Sequence, residues 1–236
     1  MEFEKNIPQM KTRSDVQAEQ TRFILKVYNW MAGGLVTTGV IAYAAANSET
    51  VLNILLSNRL IPIALIIAQF ALVIALAGWV MKMSAKMAAL LFFGYAILTG
   101  LTFSFIFLAY TNSSIASTFV ITAGTFGAMS LYGATTKKDL SSWGSFLFMG
   151  LIGIIIASVV NIFLHSSMLS WVVSCIGVLV FTGLTAYDTQ KILRMNIIGN
   201  EGTEEDTKEA IRGALTLYLD FINLFLMLLR LMGDRR

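Results

Sequence analysis

The sequence predicts an all-α integral membrane protein, a bundle of seven transmembrane helices. Its composition is 56% hydrophobic and only 13% charged, whereas a soluble domain carries about 25% charged residues. The apolar residues fall into seven runs of about 20, the length with which a helix crosses the hydrocarbon core of a bilayer. Short connections between the runs leave no room for a second domain of useful size. The lipid bilayer is therefore the expected solvent and first partner of the chain.

We expect a polar tail in residues 1–22, a single seven-helix membrane domain in residues 23–232, and a short C-terminal tail in residues 233–236. Each run is bounded by polar or charged residues. The predicted spans are 23–46, 60–81, 87–110, 116–135, 143–164, 171–194 and 211–232.

Several details of these elements carry their own expectations. Gly124 and Ala128 form a small-xxx-small pair on the fourth span, which favours close approach of another helix. Residues 47–58 and 196–208 are predicted loops. The acidic run 201–206 in the second of them is expected to be solvated, and a regulatory cation site is the alternative.

Lysine and arginine alternate between the connections, and this alternation predicts the orientation. Their counts are four in 1–22, two in 81–86, two in 137–139 and four in 191–212, against one, none and none in 47–59, 111–115 and 165–170. The N-terminus is therefore expected in the cytoplasm. Seven full crossings place the C-terminus outside. A seventh segment that dips in and returns is the alternative.

Composition also excludes several function classes. The single histidine, His165, and the single cysteine, Cys175, provide too few ligands for a zinc site and no Ser-His or Cys-His nucleophile system. The net charge of +3 lies in loops and tails, so no nucleic-acid partner is expected. We expect a protein that is not an enzyme and has no bound cofactor. The sequence leaves the oligomeric state open and is compatible with a monomer.

Two carboxylates lie inside the last two apolar runs, Asp188 in the sixth and Asp220 in the seventh. An ionisable residue inside a span is costly and indicates a functional site. The two are symmetric about residue 204 in the connecting loop, so an antiparallel hairpin places them at matched depth. The sequence allows their contact without requiring it. The alternative is that each aspartate only hydrogen-bonds between helices, or that Asp188 lies near the interface beside Lys191.

A pair of carboxyl groups in a poorly solvated place would titrate as a unit and share a proton. Loss of that proton would make them repel or bind a cation, and their hard oxygens suit a transient Ca²⁺. Asn223 is a candidate further ligand, and Tyr187 and Tyr218 are candidate hydrogen-bond donors to the pair. The sequence thus predicts a proton-regulated cation gate.

The chain resembles the transmembrane Bax inhibitor motif family. The resemblance is carried by GALTLYLDFINLFLMLLR at 213–230, TGLTAYDTQKI at 182–192 and GAMSLYGATTKKDL at 127–140. It extends from about residue 20 to the C-terminus, and is strongest to the bacterial inner-membrane branch.

The resemblance implies a seven-helix fold in which the last helix is wrapped by the other six, in a bacterial inner membrane. It implies a pH-sensitive calcium leak with Asp188 and Asp220 as the di-aspartyl sensor. It also implies a closed-state latch, for which the equivalent basic residue is Lys82, a point charge instead of an arginine fork. Gln69 stands where a relative has a glutamate. From the residues alone, Gln69 is either an interhelical hydrogen-bonder or part of the pathway.

Two other functions compete with the leak. Relatives imply a non-channel modulator that binds a membrane-bound AAA protease or acts in stress and cell-death regulation, with the charged N-terminal tail as the handle. An intramembrane aspartyl protease is disfavoured, because the glycine-aspartate motif is absent at both Asp188 and Asp220.

Overall fold

A computed structural model describes residues 13–236, and this part of the chain is all-α. Its helices are α1 (Arg13–Ala46), α2 (Glu49–Ser57), α3 (Leu60–Trp79), α4 (Ala85–Ala109), α5 (Asn112–Thr135), α6 (Ser141–Leu164), α7 (Ser167–Met195) and α8 (Glu204–Met232), with a 3₁₀ turn at Val80–Lys82. Residues 1–12 of the predicted tail lie outside the described residues.

Short polar connections position the helix starts, because a serine or threonine hydroxyl at the N-cap accepts a hydrogen bond from a free backbone N–H of the first turn. Five of the described helices begin in this way. The capping residues are Ser48, Ser84, Thr111, Ser166 and Thr203, at the starts of α2, α4, α5, α7 and α8.

The prediction of a membrane bundle is confirmed, with corrections at its first span. Within the described residues, six helices are long and apolar enough to cross a membrane alone, and α1 with α2 forms a further candidate only as a pair bent by 89°. The predicted loop 47–58 was wrong, since α2 occupies most of it. The first helix begins at Arg13 instead of residue 23, because its polar first turns pack against the connection between α7 and α8.

The last helix, α8, contains the densest buried stretch of the described bundle. It packs against α1, α3, α4, α5 and α7, whereas α6 joins the bundle chiefly through α7. Much of the apolar surface of α3 and α6 is exposed, as expected for helices that face lipid. The complete wrapping of α8 by all six other spans stays a prediction.

The seventh segment runs the whole height of the bundle. At its start, the Glu204 carboxylate accepts a hydrogen bond from the backbone N–H of Ala85, the first residue of α4 (2.7 Å). Beyond its end, the Asp234 carbonyl accepts from the N–H of Thr111, just after α4 (3.0 Å). The two helices are thus parallel and share both ends, so the geometry favours a full crossing over a re-entrant segment. The C-terminal tail is pinned to the α4–α5 turn.

The close contact between α5 and α7 depends on a glycine, Gly133. This is not the glycine that the small-residue pattern indicated. A Cβ at Gly133 would overlap the backbone carbonyl of Ala186 on α7. Gly124 and Ala128 are exposed, and a Cβ at Gly124 would meet no atom within 4 Å. The expected close approach at Gly124 was therefore wrong. Gly124 and Gly133 both lie among small residues in the sequence of α5, and only the packing of the helices distinguishes them.

Candidate functional site

Asp188 and Asp220 meet in the core of the bundle. They lie on the adjacent helices α7 and α8, and only 9% of Asp188 and 5% of Asp220 is exposed. Their carboxyl groups are within hydrogen-bonding reach of each other. The contact that the sequence allowed is present.

The helix bounds differ from those that predicted this contact. The N-terminal turns of α8, from Glu204, project beyond the end of α7 at Met195 and pack against α1 and α4. Equal distances from the ends of the two helices were therefore a wrong premise. The alignment of α7 with α8 follows instead from packing between the two helices, for example of Gly213 on α8 against Ile192 on α7.

The pair needs a positive charge or a proton. Asp220 Oδ2 is buried, and among the described residues no N–H or hydroxyl donates to it. A proton held between the two carboxyl groups would satisfy this oxygen, because a protonated acid is a hydrogen-bond donor. Lys191, one turn further along α7, lines two cavities together with Asp188, and its ammonium lies 5.6 Å from the centre of the Tyr187 ring.

Two cavities meet at Asp188. The larger, about 530 Å³, is lined by both aspartates and Asn223, and by residues of α6 including Gly144. The smaller, about 160 Å³, lies toward the start of α8 and includes Glu209 and Arg212 in its lining. Three residues, Asp188, Lys191 and Thr216, line both cavities. Asp188 therefore lies where two neighbouring cavities share their lining, and the smaller of the two extends toward the start of α8.

A polar stripe on α8 forms one wall of these cavities. It comprises Glu209, Arg212, Thr216, Asp220 and Asn223, at successive spacings of three or four residues. Such spacing places side chains on one face of a helix. Arg212 and Thr216 line these cavities but were not among the site residues predicted from the sequence. Their position in a stripe with Asp220 was the signal that could have found them.

The other predicted site residues divide into two groups. Asn223 and Tyr187 line the larger cavity, although Asn223 Nδ2 donates to the carbonyl of Leu219 on its own helix (2.8 Å). Tyr218 does not donate to the pair, so that prediction was wrong. Its hydroxyl is hydrogen-bonded to Thr38 Oγ1 at 2.7 Å on the α1 side of α8. Residues two apart on a helix point in nearly opposite directions, so Tyr218 and Asp220 cannot share a face.

Gln69 and Lys82 lie away from the dyad. Gln69 Nε2 donates to Thr102 Oγ1 (2.7 Å), which joins α3 to α4, and Gln69 lines neither cavity. Lys82 is exposed on the 3₁₀ turn and lines neither cavity, although Met81 beside it lines the smaller one. The basic groups that line the cavities are instead Lys191 and Arg212.

The metal prediction concerns a passing ion. The described residues contain no group of three or more His, Cys, Asp or Glu that could hold a metal. Ca²⁺ takes six to eight oxygen ligands in a stable site, so two carboxylates fit transient contact with an ion and do not form a resident cage.

The acidic run 201–206, which was expected to be solvated, is partly engaged in ion pairs. Asp206 is buried and bonded to Lys26, and Glu201 is paired with Arg22.

These features define a multi-pass α-helical membrane protein with a buried carboxyl pair in the lining of an open cavity. The chain belongs to the Bax inhibitor family, since the family described as "Inhibitor of apoptosis-promoting Bax1" matches residues 20–236.

Bacterial relatives cover nearly the whole chain. It is 58% identical to the inner membrane protein YbhL of Escherichia coli K12 over 91% of this chain and 92% of the relative. It is 49% identical to an uncharacterised protein of Borreliella burgdorferi over 92% and 94%. A membrane protein of Streptococcus pyogenes is 37% identical over 94% and 96%.

Proposed function

We propose that this protein is a pH-sensitive cation leak, with Ca²⁺ as the transported ion, in which Asp188 and Asp220 are the proton sensor and gate. The observation that supports this most strongly is the burial of two carboxyl groups within hydrogen-bonding reach at the meeting of two cavities. No catalytic machinery is needed for this function. Protons are its regulator, and the cation is its cargo.

The proposed gate has two states. With one proton between them, the carboxyl groups share a hydrogen bond that ties α7 to α8 across the cavity wall. Without it, two charges at about 3 Å repel by roughly 5 kcal/mol at an effective dielectric of 20. That energy is of the same order as the stability of a whole domain. Separation of the helices or entry of a cation relieves it, so alkaline pH opens the path and acid closes it.

The direct test is Ca²⁺ flux in proteoliposomes as a function of pH. The wild type should leak more as the pH rises, and Asp220→Asn should flatten this response, because an amide cannot exchange a proton in this range. Asp188→Asn should act in the same way. Asp234→Asn is the matched control, since it removes a carboxylate at the far end of α8, and it should keep the wild-type response. A wild-type pH response in both dyad variants would refute the gate.

We further propose a location in a bacterial inner membrane with the N-terminus in the cytoplasm. The name of the E. coli relative supports the membrane. The fold supports the orientation, because the Lys- and Arg-rich segments gather at one end of the bundle. Arg22 pairs with Glu201 there, and Arg194 with Asp139.

The alternative is a modulator that binds a membrane-bound protease through its N-terminal tail. Deletion of residues 1–12 separates the two functions. A larger deletion through residue 20 would cut into α1, where Glu19 accepts a hydrogen bond from Gly199 N–H. The readout is the phenotype of cells that lack the protein, and whether each variant restores the wild type. A leak predicts that the variant without residues 1–12 restores it and that Asp220→Asn does not, whereas a modulator predicts the reverse.

A further inference from the structure

A further cavity, which shares no lining residue with the two at the candidate gate, opens sideways from the bundle. This groove, of about 780 Å³, lies between α1 and α5, and Leu193 of α7 contributes to its lining. The hydroxyl of Tyr28 bridges it by a hydrogen bond to Ser130 Oγ, which is bonded in turn to Thr189 (2.8 Å). Ala32 and Leu131, on the two flanking helices, are exposed at its edges. The groove is therefore open in the direction of lipid.

The apolar part of the groove has the depth of one membrane leaflet. Its apolar lining on α1 runs from Ile24 to Leu35, which at 1.5 Å per residue is about 17 Å. One leaflet contributes about 15 Å to the hydrocarbon core. Empty apolar volume forfeits dispersion contacts, so this space must be filled by hydrocarbon. An acyl chain lying along the groove has the right length and chemistry.

The groove becomes polar at one end. Gln17 and Gln20 of α1 and Thr135 of α5 form this end. Lys137 and Lys138 follow Thr135 by two and three residues, and both are exposed. Neither forms a salt bridge with any side chain among the described residues. Neither lysine lines the groove itself, but both follow closely after Thr135, which does, so their positive charges favour an anionic headgroup over a neutral one at this end.

We propose that the groove between α1 and α5 is a binding site for one anionic phospholipid of the surrounding bilayer. One of its two acyl chains lies along the groove from Ile24 toward Leu35, and its phosphate is held at Lys137 and Lys138, with the amide of Gln17 as a neighbouring donor. This site is independent of the carboxyl pair, which lines the cavities of α7 and α8.

The test is native mass spectrometry of the full-length protein in mild detergent with equimolar dioleoyl phosphatidylglycerol and dioleoyl phosphatidylcholine. The wild type should retain one phosphatidylglycerol in preference to phosphatidylcholine. Lys137→Gln and Lys138→Gln should each lower that preference about fivefold, the effect of one juxtamembrane lysine on anionic lipid. These exposed positions should leave folding unchanged.

A pair of glycines on α5 tests the position of the chain. A Cβ at Gly127 or at Gly124 would meet no atom within 4 Å, but only Gly127 lines the groove. Gly127→Leu should lower phosphatidylglycerol retention several-fold, and Gly124→Leu should leave it at the wild-type level.

Three outcomes would overturn the proposal. The first is equal retention of the two lipids by the wild type. The second is equal retention of phosphatidylglycerol by the Gly127→Leu and Gly124→Leu variants. The third is a dimer mass that only Gly127→Leu abolishes, which would identify the occupant as a second copy of the chain.

Discussion

Two ion pairs join the same two segments of the chain, and their contributions to the free energy of unfolding should differ sharply. The Lys26 ammonium lies 2.9 Å from Asp206 Oδ2, and the Arg22 guanidinium lies 2.6 Å from Glu201 Oε1. The side chain of Asp206 is only 5% exposed, whereas those of Arg22 and Glu201 are 54% and 44% exposed. Both pairs tie α1 to the stretch that begins α8.

The cost of Lys26→Met follows from what it leaves behind. The Asp206 carboxylate would keep the N–H of Gly202 (3.0 Å) and lose the ammonium, which also donates to Thr207 Oγ1 (2.9 Å). A hydrogen bond to a charged group is worth about 1.5–3 kcal/mol. Because the lysine side chain is 33% exposed, water can partly replace it, and we expect about 2 kcal/mol. Methionine retains the apolar stem, so the change reports the charge.

Arg22→Gln should cost far less, since exposed ion pairs contribute about 0–1 kcal/mol. For a chain of this size, 1 kcal/mol shifts Tm by about 2–4 °C. Thermal unfolding in detergent should therefore show a fall of about 4–8 °C for Lys26→Met and less than about 4 °C for Arg22→Gln.

A double-mutant cycle isolates the buried pair. Asp206→Asn removes the carboxylate charge, so Lys26→Met should cost less in that background, with a coupling energy of about 1–2 kcal/mol. A coupling energy near zero, or an equal loss of Tm for Arg22→Gln, would refute the reasoning from burial.

Two further predictions concern the contacts around α7. The pKa of Asp139 is lowered to about 2 by hydrogen bonds from Ser141 and by Arg194, so its stabilising effect should be complete above about pH 4 and disappear as the pH falls through about 2. The Tm difference between wild type and Asp139→Asn should narrow over that interval, and a difference that stays constant down to pH 2 would contradict this assignment. Gly133→Ala should destabilise the protein by about 1–3 kcal/mol through overlap with the Ala186 carbonyl, as measured by thermal unfolding. The same change at Gly124 is the control and should be neutral or slightly stabilising, and equal melting temperatures for the two variants would count against the α5–α7 contact.

Much of the fold could be predicted because lipid imposes a simple rule. Each span needs about 20 apolar residues, so α3 to α8 were identifiable as spans from hydropathy, to within a few residues in most cases. The exceptions were at the polar ends. The early turns of α1 contact the α7–α8 connection through Glu19 and Gly199, and the first turns of α8 contact α1 through Asp206 and Lys26. No local pattern of apolar residues marks such contacts.

The candidate site was predictable in part for a related reason. Asp188 and Asp220 were conspicuous because charge is rare inside a span. Their neighbours were harder to assign, because a tyrosine or glutamine in an apolar run indicates a polar contact without naming the partner. Tyr218 bonds to Thr38 and Gln69 to Thr102, both away from the pair.

The sequence by itself determined that this is a membrane bundle and which two carboxylates are out of place in it. Both conclusions depend only on what each residue costs in hydrocarbon, which is a local property. The tertiary structure alone decided that the carboxyl groups meet, which cavities they line, and that a lateral groove separates α1 from α5. Those facts depend on how helices distant in sequence rotate and pack, and packing is a property of the assembled bundle.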